Sequence, residues 1–410
     1  MNICIISSTF LPEMTGVGSY VKSIMDEFSQ KGHKVLLLSP DYSLVEDIFE
    51  NYMDFIGEIG PNMCVRPIPT IVNPLRRDKV QFAHHTKWNL EDYIGSFQPD
   101  AVIVVDPQRI YDLSLFGFIG GEAYGKCIGV EYARKKGIPV VAMYQTHFPL
   151  IADSFIPEHV PTPYRMDRSG VYRRIMAEYD IVLCACNEVY RFVAGHGLEN
   201  AKAVVYVGIN RNIFSEQGKS NLVKDDKSIK LLYAGRLDAD KDINQIFDIF
   251  RNLKRECPKV SLYIAGGGTG EMAFREICRE EADITCLGVL DQRELVKVYN
   301  SVDVYLSPHP TETYGLSVLE AMSKGLPIVT ADRGGPRDLV EKGVSGFQCG
   351  TMDEYVDALK LLVEDADLRH RMGQAGRDFA GSYYSDKCAD NVLRELEILI
   401  GKKADVHEKI

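Results

Sequence analysis

The chain reads as an α/β protein of two domains, each a parallel sheet covered by helices. Two features lead there. Short apolar runs ended by glycine, proline or aspartate recur at spacings wide enough for a helix between them. They are continuously apolar and do not alternate with polar residues, as expected of strands buried on both faces. The recurrence breaks once, at Asn212 to Lys227 (NIFSEQGKSNLVKDDK), a polar stretch without periodicity that suits a linker. With 410 residues, 45% of them hydrophobic and 26% charged, there is material for two full cores.

In the first half, strands are expected at Ile3 to Ile6, Lys34 to Leu38, Cys64 to Pro67, Ala101 to Val105, Pro139 to Met143, Ile181 to Cys184 and Ala203 to Val207. A helix is expected to run from Gly18 to Lys31. The second half repeats the pattern from Lys230 with KLLYAG, SLYIAG, ITCLG, DVYLSP, PIVTAD and GFQCG. A helical stripe of Val392, Leu393, Leu396, Leu399 and Ile400 follows, and the charged tail from Gly401 to Ile410 is expected to fray. This divides the chain into 1–212, 228–382 and a terminal segment 383–410. In such Rossmann-like sheets ligands gather at the carboxyl ends of the strands, so the loops there should carry the chemistry.

A formal net charge of −11 argues against a nucleic-acid binder, which needs clustered Lys and Arg. Local basic clusters at Arg76-Arg77, Arg134-Lys135-Lys136 and Arg173-Arg174 leave contact with an anionic membrane surface open. The ten cysteines contain no C-x-x-C pair, and Cys4, Cys184 and Cys286 lie in apolar runs suited to small buried thiols. The amino terminus enters a strand directly, and no run approaches the ~20 apolar residues of a membrane span. The expected setting is the reducing cytoplasm, with association at the cytosolic face of a membrane left open.

The densest chemistry lies between Val302 and Pro327 (VDVYLSPHPTETYGLSVLEAMSKGLP). A buried strand ends at Ser307-Pro308, a polar loop follows, and a helix begins at Gly315. Unpaired amides at a helix start, with the positive end of the dipole behind them, hold phosphate. Glu312 and Glu320 flank that start. Carboxylates beside a phosphate site suit neutral hydroxyls, such as the ribose and hexose of a nucleotide sugar. Upstream, Gly235-Arg236-Leu237 followed by Lys241 ends a strand, and the two cations are spaced to neutralise one diphosphate. Asp238-Ala239-Asp240 between them spells D-x-D but sits among those cations, so no metal is expected.

Three further loops bear on the ligand. Gly16-Val17-Gly18 lacks the G-x-G-x-x-G of a dinucleotide site, which argues against NAD. Gly266-Gly267-Gly268-Thr269-Gly270 ends in Glu271 where a Walker A loop needs Lys. Tyr144-Gln145-Thr146-His147 follows a strand at its carboxyl end.

The Glu-x7-Glu around Gly315, followed by Glu-Ala-Met and Gly-x-Pro-Ile-Val, together with Gly-Arg-Leu…Lys, closely resembles the signature of the retaining GT-B glycosyltransferases of family 4. That resemblance implies two Rossmann-like domains facing each other across a cleft, with the last helix crossing back to the first domain. It implies that Glu312 contacts the donor sugar, that the backbone at Tyr314, Gly315, Leu316 and Ser317 holds the diphosphate, and that Glu320 binds the ribose. Gly235 with Arg236 and Lys241 meets the leaving group, Gly266 lines the donor site, and Gly288 with Val289 meets the base. Gly16 and Gly18 touch the donor phosphate or the acceptor, and His147 lies against the donor sugar. Asp240-Lys241-Asp242 departs from the family's Glu-Lys-Gly. The implied reaction is metal-independent, cofactor-free transfer with retention from a nucleotide-diphosphate sugar, a UDP-sugar first and a GDP-sugar next. The acceptor is a sugar, glycolipid or small metabolite. A 2-epimerase of the same fold, or a non-catalytic nucleotide-sugar-binding subunit, is the alternative; retention of Glu312, Arg236 and Lys241 favours the transferase.

Overall fold

The computed structural model describes residues 1–13, 15–49, 51–73, 76–82, 90–107, 129–147, 176–195, 197–237, 243–268 and 271–407. The chain forms two compact units. One is built from Met1–Pro149, Glu158–Val207 and Ser385–Ile410, and the other on Gly208–Tyr384.

Among the described residues, the first unit holds an eight-stranded sheet. Its strands are β1 (Asn2–Ser7), β2 (Lys34–Pro40), β3 (Gly57–Gly60), β4 (Met63–Ile68), β7 (Ala101–Val105), β8 (Val140–Tyr144), β9 (Ile181–Cys184) and β10 (Ala201–Ala203). A separate hairpin is formed by β5 (Thr70–Asn73) and β6 (Arg76–Phe82). The sheet order is β10-β9-β8-β7-β1-β2-β4-β3, parallel except for β3 against β4. Every residue of β7 is fully buried, which is why it carries no polar alternation. A Val or Ile so placed contributes about 1.5–3 kcal/mol of hydrophobic stabilisation. From β1 the chain goes to β2 on one side and later returns to β7 on the other, so the connection reverses between β1 and β7.

Helix α1 (Gly16–Gln30) starts two residues earlier than expected because Thr15 caps it, its hydroxyl accepting from the Gly18 amide. The expected strand from Ala203 to Val207 is instead β10, which ends at Ala203 where its pairing with β9 stops. The chain then turns to bury Tyr206, whose hydroxyl donates to the Tyr144 carbonyl at 2.8 Å. Helix α2 (Val130–Lys136) ends in the basic cluster, where Arg134 pairs with Glu178 and both lysines with Glu91. The clusters at 76–77 and 173–174 fall on side chains outside the description.

The second unit is a six-stranded parallel sheet in the order β13-β12-β11-β14-β15-β16. These are β11 (Ile229–Ala234), β12 (Val260–Ala265), β13 (Ile284–Gly288), β14 (Val304–Ser307), β15 (Ile328–Ala331) and β16 (Gly346–Cys349). Around it lie α4 (Ile243–Glu256), α5 (Glu271–Glu280), α6 (Gln292–Tyr299), α7 (Leu316–Ser323), α8 (Met352–Glu364) and α9 (Ala366–Ala380); α3 (Asn187–Gly195) belongs to the first unit. Leu231, Phe247, Phe250, Leu262, Val304 and Leu359 centre its core. The sequence from β11 runs outward through β12 to β13 and then jumps back to β14, so the connection reverses between β11 and β14.

The stretch expected as a linker is instead part of this unit. Lys324 Nζ donates to the carbonyls of Phe214 and Glu216 at 3.1 and 2.7 Å, and the Lys224 amide donates to the Tyr263 hydroxyl at 3.0 Å. Its polar composition serves these bonds, and the units divide at 207/208 and 384/385.

Helix α10 (Ser385–His407) lies in the first unit. Ser385 Oγ donates to Glu27 at 2.6 Å, Lys202 pairs with Glu395 at 2.5 Å, and Lys403 pairs with Asp180 at 3.0 Å. The expectation of fraying from Gly401 is therefore corrected for 401–407, where the helix continues to His407 and Lys403 is ion-paired; residues 408–410 lie outside the described residues. Cys286 is also not the free thiol expected, since it is bonded to Cys278 where α5 packs on β13. No described helix is long and apolar enough to cross a membrane.

Candidate active site

Among the described residues, the predicted glycines and Arg236 of the second unit lie at the carboxyl ends of its strands, on both sides of the reversal point. β11 ends at Ala234 and delivers Gly235 and Arg236; its neighbour β14 ends at Ser307 and delivers the loop to Gly315. The two ends are tied by buried aromatics. Tyr305 OH donates to the Ala234 carbonyl at 2.9 Å, and Tyr233 OH donates to the Arg236 carbonyl at 3.0 Å. The Tyr233 ring stands edge-on to the buried His309 ring, 5.1 Å between centroids. Arg236 itself is exposed. Lys241 and Asp238-Ala239-Asp240 lie outside the described residues.

Glycines make this edge of the sheet. The Gly235 amide donates to Ala265, the Leu237 amide to Gly267, and the Gly266 amide to Gly288 at 2.8 Å. Gly266 has φ +138°, and a Cβ there would sit 1.9 Å from the Gly235 carbonyl oxygen. Backbone thus packs directly on backbone from Gly235 through Gly266 to Gly288, and the exposed Val289 follows.

At the start of α7, Gly315 adopts φ +96° and packs against Pro336, conformationally accessible to glycine alone at little cost. Its carbonyl accepts from Leu319 at 3.1 Å. The amides of Leu316, Ser317 and Val318 are the first-turn donors that no carbonyl of their own helix can reach, at the positive end of its dipole. Tyr314, buried beside them, anchors the turn. The loop carrying Glu312 is clamped from β15's side: the Gly335 amide donates to the Glu312 carbonyl at 2.7 Å. A Cβ at Gly335 would lie 2.1 Å from the Thr313 carbonyl oxygen.

Glu320 lies on α7 with its carboxyl desolvated by packing, although some of the residue's surface still reaches solvent. Burial pushes its pKa up to about 7, opposed by the hydrogen bond it accepts from Tyr299 OH at 2.9 Å. Such a carboxylate, strained in its charged form, has much to gain from hydroxyl donors of a ligand.

In the first unit, Gly16 and Gly18 lie in the first turn of α1 and not in a long loop. A Cβ at Gly18 would be 3.2 Å from both the Glu13 carbonyl and Thr15 Oγ1, whereas Gly16 has open space. His147 is buried just beyond β8, with Nδ1 3.0 Å from Tyr144 OH and its ring edge-on to Phe192 at 4.5 Å.

Two family models divide the chain. Residues 14–212 match Glycosyltransferase Family 4, and residues 214–379 match Glycosyl transferases group 1. The chain belongs to the group 1, family 4 glycosyltransferases. As a glycosyltransferase it is similar to a GDP-mannose-dependent alpha-mannosyltransferase of Mycobacterium tuberculosis, 26% identical over 98% of each chain. It is 21% identical to the alpha-monoglucosyldiacylglycerol synthase of Streptococcus pneumoniae, over 90% of this chain and 80% of that one. The fold matches sucrose-phosphate synthase from Thermosynechococcus elongatus at TM-score 0.74 and 14% identity, covering 98% of this chain and 100% of the other. It also matches Anabaena HepE, solved with UDP, at TM-score 0.68 and 15% identity, covering 97% and 100%. The two parallel-sheet domains are those of a GT-B enzyme.

Within each unit the structure gives the candidate residues partners that the sequence alone did not single out. Gly334-Gly335-Pro336 clamps the Glu312 loop, Tyr299 supports Glu320, and Asp106 binds the segment before His147. A Gly-Gly-Pro directly after a strand was the available signal for the first; the other two act through tertiary contacts across 21 and 40 positions.

Proposed function

We propose that this glycosyltransferase moves a sugar from a nucleotide-diphosphate donor to a hydroxyl acceptor with retention at the anomeric carbon. The observation that carries the proposal is that neighbouring parallel strands β11 and β14 end on the same edge of the sheet, at the reversal, one followed by the Gly235-Arg236 turn and the other by the loop to the Gly315-capped start of α7. The α7 amides from Leu316 and Ser317 receive the diphosphate, and Arg236 with Lys241 stabilises its charge as it leaves. Glu320 accepts from the ribose hydroxyls and Glu312 from those of the sugar. Gly266 borders the nucleotide, and the backbone at Gly288 and Val289 meets the base. His147, Gly16 and Gly18, carried by the first unit, are assigned to the sugar, and to the donor phosphate or acceptor.

In the reaction the bond from the anomeric carbon to the diphosphate oxygen breaks, with the electron pair leaving on the diphosphate. The acceptor oxygen bonds to the same face of that carbon, and its proton passes to the departing phosphate oxygen. No metal is needed for charge neutralisation when two cations and a helix start are available. Of the relatives, the mycobacterial enzyme is named for GDP-mannose and HepE was solved with UDP. UDP-sugars and GDP-mannose are therefore the two donors to compare, with sugar and lipid acceptors.

Release of nucleoside diphosphate with each donor, in the presence of a panel of such acceptors, tests the proposal. Arg236→Ala and Lys241→Ala should each lower kcat/KM roughly 10²-fold, the usual consequence of removing one group that stabilises developing charge. Activity within a few-fold of wild type in both variants would overturn the assignment.

A further inference from the structure

Asp106 follows β7 as a fully buried carboxylate with φ +50°, a backbone region that favours glycine. A buried acid in a disfavoured conformation persists where its surroundings require it. Here the requirement is visible in its bonds. Its amide donates to the Met143 carbonyl at 2.9 Å, joining the end of β7 to β8. Oδ1 accepts from the amides of Gln145 and Thr146 at 2.8 and 2.7 Å, and Oδ2 accepts from Thr146 Oγ1 at 2.5 Å. One carboxylate thus fixes both residues between the end of β8 and His147.

The imidazole is held from its other sides by the same neighbourhood. Tyr144 OH engages Nδ1 at 3.0 Å, Tyr206 OH holds the Tyr144 carbonyl at 2.8 Å, and Phe192 meets the ring edge-on. A histidine one residue beyond a triply bonded turn has little freedom of placement. A misplacement of about 1 Å at a reacting centre costs on the order of 10²-fold in rate.

We propose that Asp106 is a positioning residue: its carboxylate, by bonding Gln145 and Thr146 across the β7 and β8 ends, sets the place and orientation of the His147 imidazole for transfer. This rests on the assignment of His147 to the donor sugar, and it adds a residue to which no role had been given. Asp106 touches no substrate in this scheme and acts through the turn.

Three variants test it. Asp106→Gly removes the carboxylate while accepting φ +50° without strain, so the fold has no steric reason to fail. Asp106→Asn keeps an oxygen for the two amides, can donate to Thr146 Oγ1, and tolerates the same φ. His147→Ala removes the group being positioned. Asp106→Gly should lower kcat roughly 10- to 100-fold while the Kd of nucleoside diphosphate stays within about twofold, and Asp106→Asn should restore kcat to within about fivefold of wild type. In the His147→Ala background, Asp106→Gly should cost no more than about twofold further, since its effect passes through the imidazole. Equal losses from Asp106→Gly with and without His147 would overturn the proposal and leave a structural role only. Loss of activity in His147→Ala together with unchanged kcat in Asp106→Gly would also overturn it while preserving the His147 assignment. Full activity in His147→Ala would remove that assignment and the proposal with it.

Discussion

Replacing Glu320 by glutamine should stabilise the protein above neutral pH while weakening its hold on the nucleotide. Burial raises the carboxyl pKa from 4.5 to about 7, so the folded protein binds this proton more tightly than the unfolded chain. The charged form therefore costs stability: nothing is lost below pH 4.5, the loss grows between 4.5 and 7, and it is complete above 7. A displacement of that size corresponds to ~3 kcal/mol at most, and partial access to solvent lowers it to about 1–2 kcal/mol. Glutamine keeps an oxygen to accept from Tyr299 OH but never ionises. By calorimetry, Glu320→Gln should melt about 3–6 °C above wild type at pH 8, with the difference vanishing as the pH falls below 4.5. The same variant should bind nucleoside diphosphate roughly tenfold more weakly at pH 8, having lost a charged acceptor for hydroxyl donors. Identical melting temperatures for the two proteins at pH 8 would refute the claim that a desolvated carboxylate waits there for ligand.

Gly335→Ala should destabilise by about 1–3 kcal/mol and lower kcat/KM, because the new methyl lies 2.1 Å from the Thr313 carbonyl oxygen and must push the Glu312 loop aside; equal activity and melting temperature would show the clamp to be slack. Turnover should persist in excess EDTA, and complete loss restored by Mg²⁺ or Mn²⁺ would assign the charge neutralisation to a metal. An α-linked donor should yield an α-linked product, read from the anomeric proton coupling; a β-linked product would rule out attack from the leaving-group face.

The sheets were readable because burial on both faces leaves a plain mark: β7 is AVIVV and β12 is VSLYIA, with no alternation to confuse strand with surface. The start of α7 was readable for a local reason, since Gly315 must be glycine at φ +96° and the first-turn amides that follow it lie within a few residues. Where the chain depended on distant partners the sequence was silent or misleading. Nothing near Glu320 announces that Tyr299 will buffer it, and nothing near His147 announces Asp106. The polar segment from Asn212 to Lys227 resembles a linker until Lys324, over a hundred positions later, supplies donors for its carbonyls. Cys286 looks like any buried thiol until α5 brings Cys278 against it. The tail past Gly401 has little apolar surface, and it is helix continuity and the Lys403–Asp180 pair that extend its order to His407.

The central claim is that a nucleotide-diphosphate sugar binds at the β11/β14 reversal of the second unit. A crystal structure of the protein with UDP or GDP bound tests it most directly. The diphosphate should lie within hydrogen-bond distance of the Leu316 and Ser317 amides and of Arg236, with the ribose hydroxyls on Glu320. A diphosphate bound elsewhere, with Glu320 and Arg236 untouched, would contradict it.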